Sequence, residues 1–234
     1  KGHEDLRLDE RIMQFFKLIN SLVKKQTSNN SSLIQTMSIT PLSLYHGLVQ
    51  WVKGTDTMKY IVDHIRNLHQ FDTDTEFYLQ QKYGIKSMDN LLPIQAYLTN
   101  LKIINEVPDT DIANFLWLKA ANADLWMKQT TNFAISNGVM SIVGYIIGLG
   151  DRHPSNLLID RYTGKVVHID FGDSFELAAT RSYKPEVVPF RLTRMMVRAM
   201  GLTGVDGPFR NAFINMSQLL RDNRRVLLMV LAIF

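Results

Sequence analysis

One long apolar segment constrains the fold more than any other feature of this sequence. Over residues 110–149 the pattern predicts two helices that separate near 121–124, and the second is apolar enough to lie in a core. The next six residues, "DRHPSN", form a polar loop, and two short β-branched runs, "NLLID" and "KVVHID", then flank a "RYTG" turn. The sequence therefore predicts a buried helix that leads into a polar loop and a β-hairpin.

The other segments are mostly helical. Apolar residues at helical spacing and capping signals predict further helices over 9–25, 55–69, 191–200, 211–221 and 225–234. Thr55 or Asp56 would cap the second of these helices. Residues 33–40 and 47–52 have the composition of strands, and residues 70–108 show no clear pattern. The predicted fold class is mainly α with short β-strands (α+β).

Composition excludes several kinds of function. The chain has no cysteine, which excludes disulfides and thiolate metal sites. A formal net charge of +4 over 234 residues is too small to indicate a nucleic-acid partner. The longest apolar runs, "VMSIVGYIIGLG" and "VLLMVLAIF", are too short for a transmembrane segment, so any membrane association would be peripheral. Because the chain opens on Lys1 and stops at Phe234 within an apolar run, we expect a piece of a longer polypeptide.

Acidic, imidazole and amide side chains concentrate in residues 150–173, "GDRHPSNLLIDRYTGKVVHIDFGD". The predicted hairpin brings Asp151, His153 and Asn156 close to Asp170. Phosphoryl transfer requires a carboxylate that orients or deprotonates the attacking hydroxyl, and an Asn and an Asp that hold Mg²⁺ on the nucleotide phosphates. The D-x-x-x-x-N spacing followed by D-F-G matches the catalytic loop and metal-binding turn of protein kinases, although the order here is Asp-Arg-His instead of His-Arg-Asp.

This inverted order carries a resemblance to a known family. The chain resembles the phosphatidylinositol 3-kinase-related protein kinases, most of all their target-of-rapamycin branch, through the blocks "KGHEDLRLDERIMQFF", "GLVQWV", "VMSIVGYIIGLGDRHPSNLLIDR", "GKVVHIDFGDSFE" and "VPFRLTRMM". The resemblance implies a protein/lipid-kinase-like catalytic domain. Residues 1–53 would be the remnant of the nucleotide-binding N-lobe with the hinge. Residues 54–234 would be the helical C-terminal lobe, with a catalytic loop at 150–157 and an activation segment at 170–190.

The resemblance also implies roles for individual residues. Asp151 would receive or orient the substrate hydroxyl, and His153 would stabilise charge on the transferring phosphoryl group. Asn156 and Asp170 would be the metal ligands. The nucleotide-binding residues would be Lys1 on the phosphates, Glu4 or Asp9 as the partner of that lysine, Trp51 and Val52 in the hinge, and Leu158 and Ile169 on the floor of the adenine pocket.

Two departures from the family pattern bear on the nucleotide site. Met37 stands where many relatives have a tyrosine, and we expect it to be an ordinary core residue. No glycine-rich phosphate loop precedes Lys1, so we do not expect this piece to be active by itself.

Cofactors and partners follow from the same resemblance. ATP would be the phosphoryl donor, with Mg²⁺ as the metal and Mn²⁺ as an alternative ion. Protein substrates would be the acceptors, and adaptor subunits of a large kinase complex would be the other partners. The parent protein would be cytoplasmic, with endomembranes or the nucleus as further locations, and would act in growth and nutrient signalling.

The nearest alternative function is that of a phosphoinositide lipid kinase, which shares both motifs. A polyanionic headgroup requires a cluster of bases. The predicted activation loop over 173–188 has only Arg181 and Lys184, against the carboxylates of Asp173, Glu176 and Glu186. This composition favours a peptide hydroxyl as the acceptor.

Two other functions are less well supported. A catalytically inactive scaffold would be expected to lack Asp151, Asn156 or Asp170, and all three are present. A metallohydrolase would gather several histidines at its metal, whereas only His153 and His168 lie in the motif. We expect His168 to be a hydrogen-bonded structural residue, on the same strand face as Asp170.

Overall fold

The computed structural model describes residues 2, 5–26, 33–83, 93–180 and 188–232. Its helices are α1 (Arg7–Gln26), α2 (Met58–Leu68), α3 (Thr75–Lys82), α4 (Pro93–Glu106), α5 (Asp111–Lys119), α6 (Ala123–Ile146), α7 (Glu176–Ala179), α8 (Arg194–Ala199), α9 (Arg210–Asp222) and α10 (Arg224–Leu231). A π-helical turn over Val205–Phe209 leads into α9. The strands are β1 (Ile39–Pro41), β2 (Gly47–Val49), β3 (Thr55–Thr57), β4 (Leu157–Asp160) and β5 (Val166–His168). The predicted class, mainly α with short strands, is confirmed.

Helix α6 is the central element of the core. It begins at the side chain of Asn122, which accepts from Leu125 N at 2.8 Å, and it passes between two apolar clusters. Val139 and Val143 pack in the first cluster, which α1, α9 and α10 complete. Phe133 and Ala134 pack in the second cluster with residues of α2, α5, α8 and the β4–β5 hairpin. The helix is therefore buried along most of its length, as its apolar composition predicts.

Two small antiparallel sheets flank the helices. β1 pairs with β2, with Ile39 opposite Val49. β4 is the central strand of the second sheet, in which Leu158 lies opposite Thr57 of β3 and Val167 of β5. The β4–β5 hairpin is the one that the sequence predicts, and β3 adds an edge that it does not predict.

The start of α2 differs from the prediction. Thr55 and Asp56 are not caps, because both belong to β3 and pair with β4. The cap is Thr57, whose Oγ1 accepts from Tyr60 N at 3.1 Å. Pairing with a strand about a hundred residues away decides the boundary, and a local pattern does not contain that information. The predicted strand over 33–40 is also shorter, since only its end pairs as β1.

Residues 70–108, which show no clear pattern in sequence, contain α3 and α4. These helices share a small apolar cluster formed by Leu79, Ile103 and Val107. Within the described ranges, none of the helices combines the length and the apolar composition that a bilayer crossing requires.

Candidate active site

The predicted catalytic loop, residues 150–157, follows the end of α6 at Ile146. Gly148 has a φ of +57°, and Asp151 also has a left-handed backbone, with a φ of +55°. The buried Asn156 side chain donates from Nδ2 to the backbone oxygen of Asp151 at 3.1 Å and to Asp151 Oδ2 at 3.3 Å. Asn156 therefore directly orients the Asp151 carboxylate.

His153 approaches the same carboxylate from the exposed side of the loop. Its Nε2 lies 3.7 Å from Asp151 Oδ2, and its Nδ1 accepts from Ser155 N at 3.2 Å. Because Nδ1 is an acceptor, the proton of the neutral ring lies on Nε2, which faces Asp151. A histidine in this position can donate a hydrogen bond beside the Asp151 carboxylate.

Asp170 follows β5 and turns into a cavity. Its φ is +61°, and neighbouring backbone groups on both sides are held by hydrogen bonds. Ile169 N donates to Asn156 O at 3.1 Å, and Phe171 N donates to Asp9 Oδ1 at 3.1 Å. The Asp170 segment is therefore fixed to the catalytic loop on one side and to α1 on the other.

Arg152 also connects the catalytic loop to the Asp170 segment. Its guanidinium binds three backbone oxygens. Nε donates to Gly150 O at 2.7 Å within the loop. Nη1 donates to Ile169 O at 2.8 Å, and Nη2 donates to Asp170 O, 17 and 18 residues further along the chain. The Phe171 ring centroid lies 5.8 Å from the guanidinium carbon. The sequence does not predict this role of Arg152, because no local pattern shows that the side chain reaches the segment after β5.

A cavity of about 360 Å³ opens beside Asp170. Four residues that the resemblance assigns to the adenine pocket line it, namely Trp51, Val52, Leu158 and Ile169. The lining residues outside the predicted nucleotide-binding set are Leu6, Ile39, Val49, Gln50, Thr55, Thr57 and Phe171, together with Met37, which the sequence analysis placed near the nucleotide but expected in the core. These additional residues come from five separate stretches of chain, and a local sequence motif does not show that such stretches meet at one cavity.

Two lining residues differ in exposure. Trp51 is 83% exposed at the edge of the cavity, whereas Met37 is 4% exposed. The expectation that Met37 belongs to the core is confirmed, and the same residue also forms part of the cavity wall. The methionine therefore contributes a flexible apolar surface where an adenine ring would lie.

The predicted phosphate-side residues are only partly described. Lys1 and Glu4 lie outside the described residues, and the pairing of Lys1 with Glu4 or Asp9 stays a prediction. Asp9 is buried, lines the cavity and binds Phe171 N, a contact that the sequence did not predict.

His168 occupies a different position from the predicted one. β5 ends at this residue and Asp170 has a positive φ, so the alternation of strand faces does not continue to Asp170. Ile169 and Asp170 line the cavity, whereas His168 does not. His168 lies two residues after Val166 and therefore on the same face of β5, and Val166 packs in the second cluster. The predicted common face of His168 and Asp170 is therefore wrong.

The hydrogen bond expected for His168 is not formed at Nδ1, the buried nitrogen of its ring. Within the described part of the chain, the buried Nδ1 has no hydrogen-bond partner. Burial of the ring, with a smaller contribution from the charge of Arg152, lowers the pKa of His168 to about 3. The ring is therefore neutral at physiological pH.

The donor set fits a magnesium–nucleotide complex. Because Asn156 Nδ2 faces Asp151, Asn156 Oδ1 is left for a cation, and Asp170 adds a carboxylate beside the cavity. One amide oxygen and one carboxylate suit Mg²⁺, which keeps several positions for water and phosphate. No cluster of three or more His, Cys, Asp or Glu side chains that could hold a metal occurs among the described residues.

The activation segment is described only at its ends. Residues 181–187, with Arg181, Lys184 and Glu186, lie outside the described residues, so the charge balance of this loop remains a sequence prediction. At the near end, Gly150 N donates to Asp173 O at 2.8 Å, which joins the start of the segment to the catalytic loop. On the far side, Val188 and Phe190 line a smaller cavity with Asp151.

Comparisons with known proteins agree with this geometry. The family model described as phosphatidylinositol 3- and 4-kinase matches residues 1–234. The serine/threonine-protein kinase TOR of Oryza sativa subsp. japonica is 42% identical over 226 residues, which cover 96% of this chain and 9% of that protein. The serine/threonine-protein kinase mTor of Drosophila melanogaster is 41% identical over 236 residues, which cover 100% of this chain and 10% of that protein. The chain thus spans about a tenth of the length of the curated relatives it matches.

A solved structure shares the fold. The structure titled "FAT and kinase domain of CtTel1" matches with a TM-score of 0.80 and 29% sequence identity, over 98% of this chain and 16% of that chain. The matches confirm the mainly helical, kinase-like fold and the resemblance to phosphatidylinositol 3-kinase-related protein kinases and their target-of-rapamycin branch.

Proposed function

The chain belongs to the phosphatidylinositol 3- and 4-kinase family, and on that premise we propose that it is the catalytic part of a serine/threonine protein kinase. It would transfer the γ-phosphoryl group of ATP to Ser and Thr hydroxyls of proteins. The observation that supports this most directly is the joining of the Asp151–Asn156 loop to the Asp170 segment at the end of a largely apolar cavity.

The side chains of the loop would act mainly by positioning. Asp151, oriented by Asn156, would accept the proton of the attacking hydroxyl or hold that hydroxyl in line. His153, with its Nε2 toward Asp151, would donate a hydrogen bond to the transferring group. Asn156 and Asp170 would hold Mg²⁺, which when bound neutralises charge on the phosphates.

The cavity would hold the adenine ring. Val52, Leu158 and Ile169 supply apolar contacts, and Trp51 would cover the exposed edge. Asp9 would act on the phosphate side together with Lys1 and Glu4. ATP with Mg²⁺, or with Mn²⁺ in its place, is therefore the donor that we propose.

Protein acceptors are favoured over lipids by two observations. Relatives that match 96–100% of the chain are named serine/threonine-protein kinases, and the predicted activation loop lacks a cluster of bases. We further propose a target-of-rapamycin-like part in growth and nutrient signalling, in a large cytoplasmic or endomembrane-associated complex with adaptor subunits.

The test uses the full-length protein, isolated with its complex. Transfer of labelled γ-phosphate from ATP is measured on a Ser/Thr peptide library and on phosphoinositide vesicles. Asp170→Ala should reduce peptide labelling by at least about 100-fold, because a metal ligand is lost. The matched control is Asp206→Ala, which removes an exposed carboxylate paired with Arg210 and should leave the labelling unchanged.

Other outcomes identify the alternatives. Labelling of the vesicles instead of the peptides would show a lipid kinase. ATP binding without labelling of either acceptor would show a catalytically inactive scaffold. Equal labelling by the Asp170→Ala variant and the unsubstituted protein would contradict the proposed metal site.

A further inference from the structure

We infer that Arg152 is a positioning residue that holds the backbone of both site aspartates, Asp151 and Asp170, in the conformation that phosphoryl transfer requires. This inference rests on the proposed kinase function and adds to it a residue that neither the motif nor the family comparison assigns.

The first observation is which carbonyl groups the guanidinium binds. Arg152 Nε donates to Gly150 O at 2.7 Å, and Nη1 donates to Ile169 O at 2.8 Å. These are the carbonyls of the two peptide groups that immediately precede Asp151 and Asp170 in the chain. One planar side chain therefore fixes the peptide plane in front of each aspartate, and its Nη2 also binds the carbonyl of Asp170 itself.

The second observation is the backbone conformation of the two aspartates. Asp151 has a φ of +55° and Asp170 a φ of +61°, in the left-handed region that residues with a Cβ adopt uncommonly, although aspartate adopts it more readily than most. Such a conformation still costs free energy in a residue with a Cβ, and surrounding contacts stabilise it. Because φ describes rotation between a residue and the peptide group before it, hydrogen bonds to the preceding carbonyls act directly on the strained angles.

The third observation is the surroundings of the guanidinium. Arg152 is 6% exposed, so its hydrogen bonds are protected from competition by water. A planar fork with donors in fixed directions can span carbonyls from two chain segments, whereas a lysine ammonium is a single point of charge. The Phe171 ring at 5.8 Å and the bond from Phe171 N to Asp9 hold the far side of the same segment. Arginine is therefore the side chain that this geometry requires.

Replacement of Arg152 should affect metal binding and turnover more than nucleotide affinity. Arg152 itself is not among the residues that line the cavity, so its replacement removes no direct contact with the nucleotide, and the affinity for the nucleotide without metal should persist. What should weaken is the joint hold of Asn156 and Asp170 on the cation and the alignment of Asp151 with the hydroxyl. A loss limited to metal dependence and turnover separates a positioning role from a general contribution to folding.

The experiment compares Arg152→Met and Arg152→Lys in the full-length protein within its complex, with Arg210→Met as the control. Arg210 is an exposed arginine that forms a surface ion pair with Asp206. Two quantities decide the outcome: the Mg²⁺ concentration that half-saturates binding of a non-hydrolysable ATP analogue, and kcat for peptide phosphorylation. The affinity for the same analogue without metal is measured as a check on the cavity.

For Arg152→Met we expect the half-saturating Mg²⁺ concentration to rise by about tenfold and kcat to fall by about 100-fold, as for other residues that orient metal ligands. Analogue affinity without metal should stay within about twofold of the unsubstituted protein. Arg152→Lys should give intermediate values, because its ammonium reaches fewer of the carbonyls. Arg210→Met should match the unsubstituted protein in both quantities.

A folded Arg152→Met variant with unchanged Mg²⁺ dependence and kcat would overturn the inference. If that variant does not fold, Arg152→Lys decides by the same two measurements. If neither folds while Arg210→Met does, Arg152 is needed for the fold itself and the positioning role is wrong.

The two proposals fail in different ways. Absence of phosphoryl transfer by the unsubstituted protein, with Mg²⁺-dependent analogue binding that still depends on Arg152, would reject the kinase function alone. Phosphoryl transfer that is insensitive to Arg152 would reject the positioning role alone.

Discussion

Asn156 connects the proposed acid–base and metal-binding parts of the site through one carboxamide. Its Nδ2 donates to both the backbone and the carboxylate of Asp151, and this leaves Oδ1 for a cation. The side chain is 7% exposed, so neither bond is easily replaced by water. An amide is therefore needed here because one end must donate while the other end accepts.

This requirement predicts the effect of Asn156→Asp. The new carboxylate would lie about as close to Asp151 Oδ2 as the present Nδ2, 3.3 Å away, and two carboxylates at that distance do not both ionise readily. We expect kcat at pH 7 to fall by at least about 100-fold, and the acidic limb of the pH–rate profile to move to higher pH.

A matched control is available at the start of α6. Asn122→Asp replaces an exposed N-cap by another good N-cap, since its side-chain oxygen accepts from Leu125 N. It should leave kcat and the pH–rate profile unchanged. A profile for Asn156→Asp that equals the control would contradict the role of the amide.

At the scale of secondary structure elements, Arg66 holds three helices together. From α2 it donates through Nη1 to Glu76 of α3 at 2.7 Å and through Nε to Asp111 of α5 at 3.1 Å. Burial raises the pKa of Asp111, and Arg66 opposes this only in part. Burial is the largest single influence on Glu76 and alone would raise its pKa, but the hydrogen bonds with Arg66, a backbone hydrogen bond and the charges of Arg66 and Arg194 together lower the pKa. Arg66 thus compensates two carboxylates in an otherwise apolar region.

Arg66→Met is therefore expected to destabilise the packing of α2, α3 and α5. The Asp111 side chain is 4% exposed and would be left as an unpaired buried charge, which costs about 3–5 kcal/mol. Native-state hydrogen exchange on the intact protein measures the loss. The control Arg210→Met breaks an exposed i,i+4 ion pair and should cost less than about 1 kcal/mol.

The pH dependence of the Arg66→Met variant has a defined sign. Without Arg66, the pKa of Asp111 in the folded state rises further above its unfolded value, so the folded state binds more protons. The unfolding free energy of the variant should then increase as the pH falls from 7 toward the unfolded pKa of an aspartate, about 3.9. A variant whose deficit is the same at pH 5 and pH 7 would show that Asp111 is not the cause.

At the scale of the whole molecule, α6 brings the two halves of the core together, and small residues allow its neighbours to approach. A Cβ at Gly138 would collide with the backbone oxygen of Phe209, in the π-helical turn before α9. Six residues further along α6, a Cβ at Gly144 would lie 3.3 Å from Pro189 O. The first approach leaves no room for a side chain, and the second is tight but closer to an ordinary contact.

Alanine at these two positions should affect the unfolding free energy by different amounts. Both substitutions gain about 1 kcal/mol of helix propensity. Gly138→Ala should nevertheless destabilise the protein by about 2 kcal/mol, because either α6 or the turn must move. Gly144→Ala should change the unfolding free energy by less than about 1 kcal/mol. Thermal unfolding of the intact protein tests the pair, and equal melting temperatures for both variants would contradict the close crossing.

The sequence by itself determined the helices with a clear apolar period, the division between α5 and α6 and the β4–β5 hairpin. It also indicated Asp151, Asn156 and Asp170 as site residues, which stays a prediction. These are local features, because spacing along a helix or around a tight turn is set by neighbouring residues. The resemblance added four residues, Trp51, Val52, Leu158 and Ile169, that line one cavity.

Only the tertiary structure decided the features that depend on contacts distant in sequence. Pairing of β3 with β4 moved the α2 cap to Thr57, and the positive φ of Asp170 turned it away from the face of His168. The bonds from Arg152 to the Asp170 segment belong to the same class. Their physical reason is common: a hydrogen bond between segments far apart in the chain can impose a backbone conformation against local preference, and no local pattern encodes its partner.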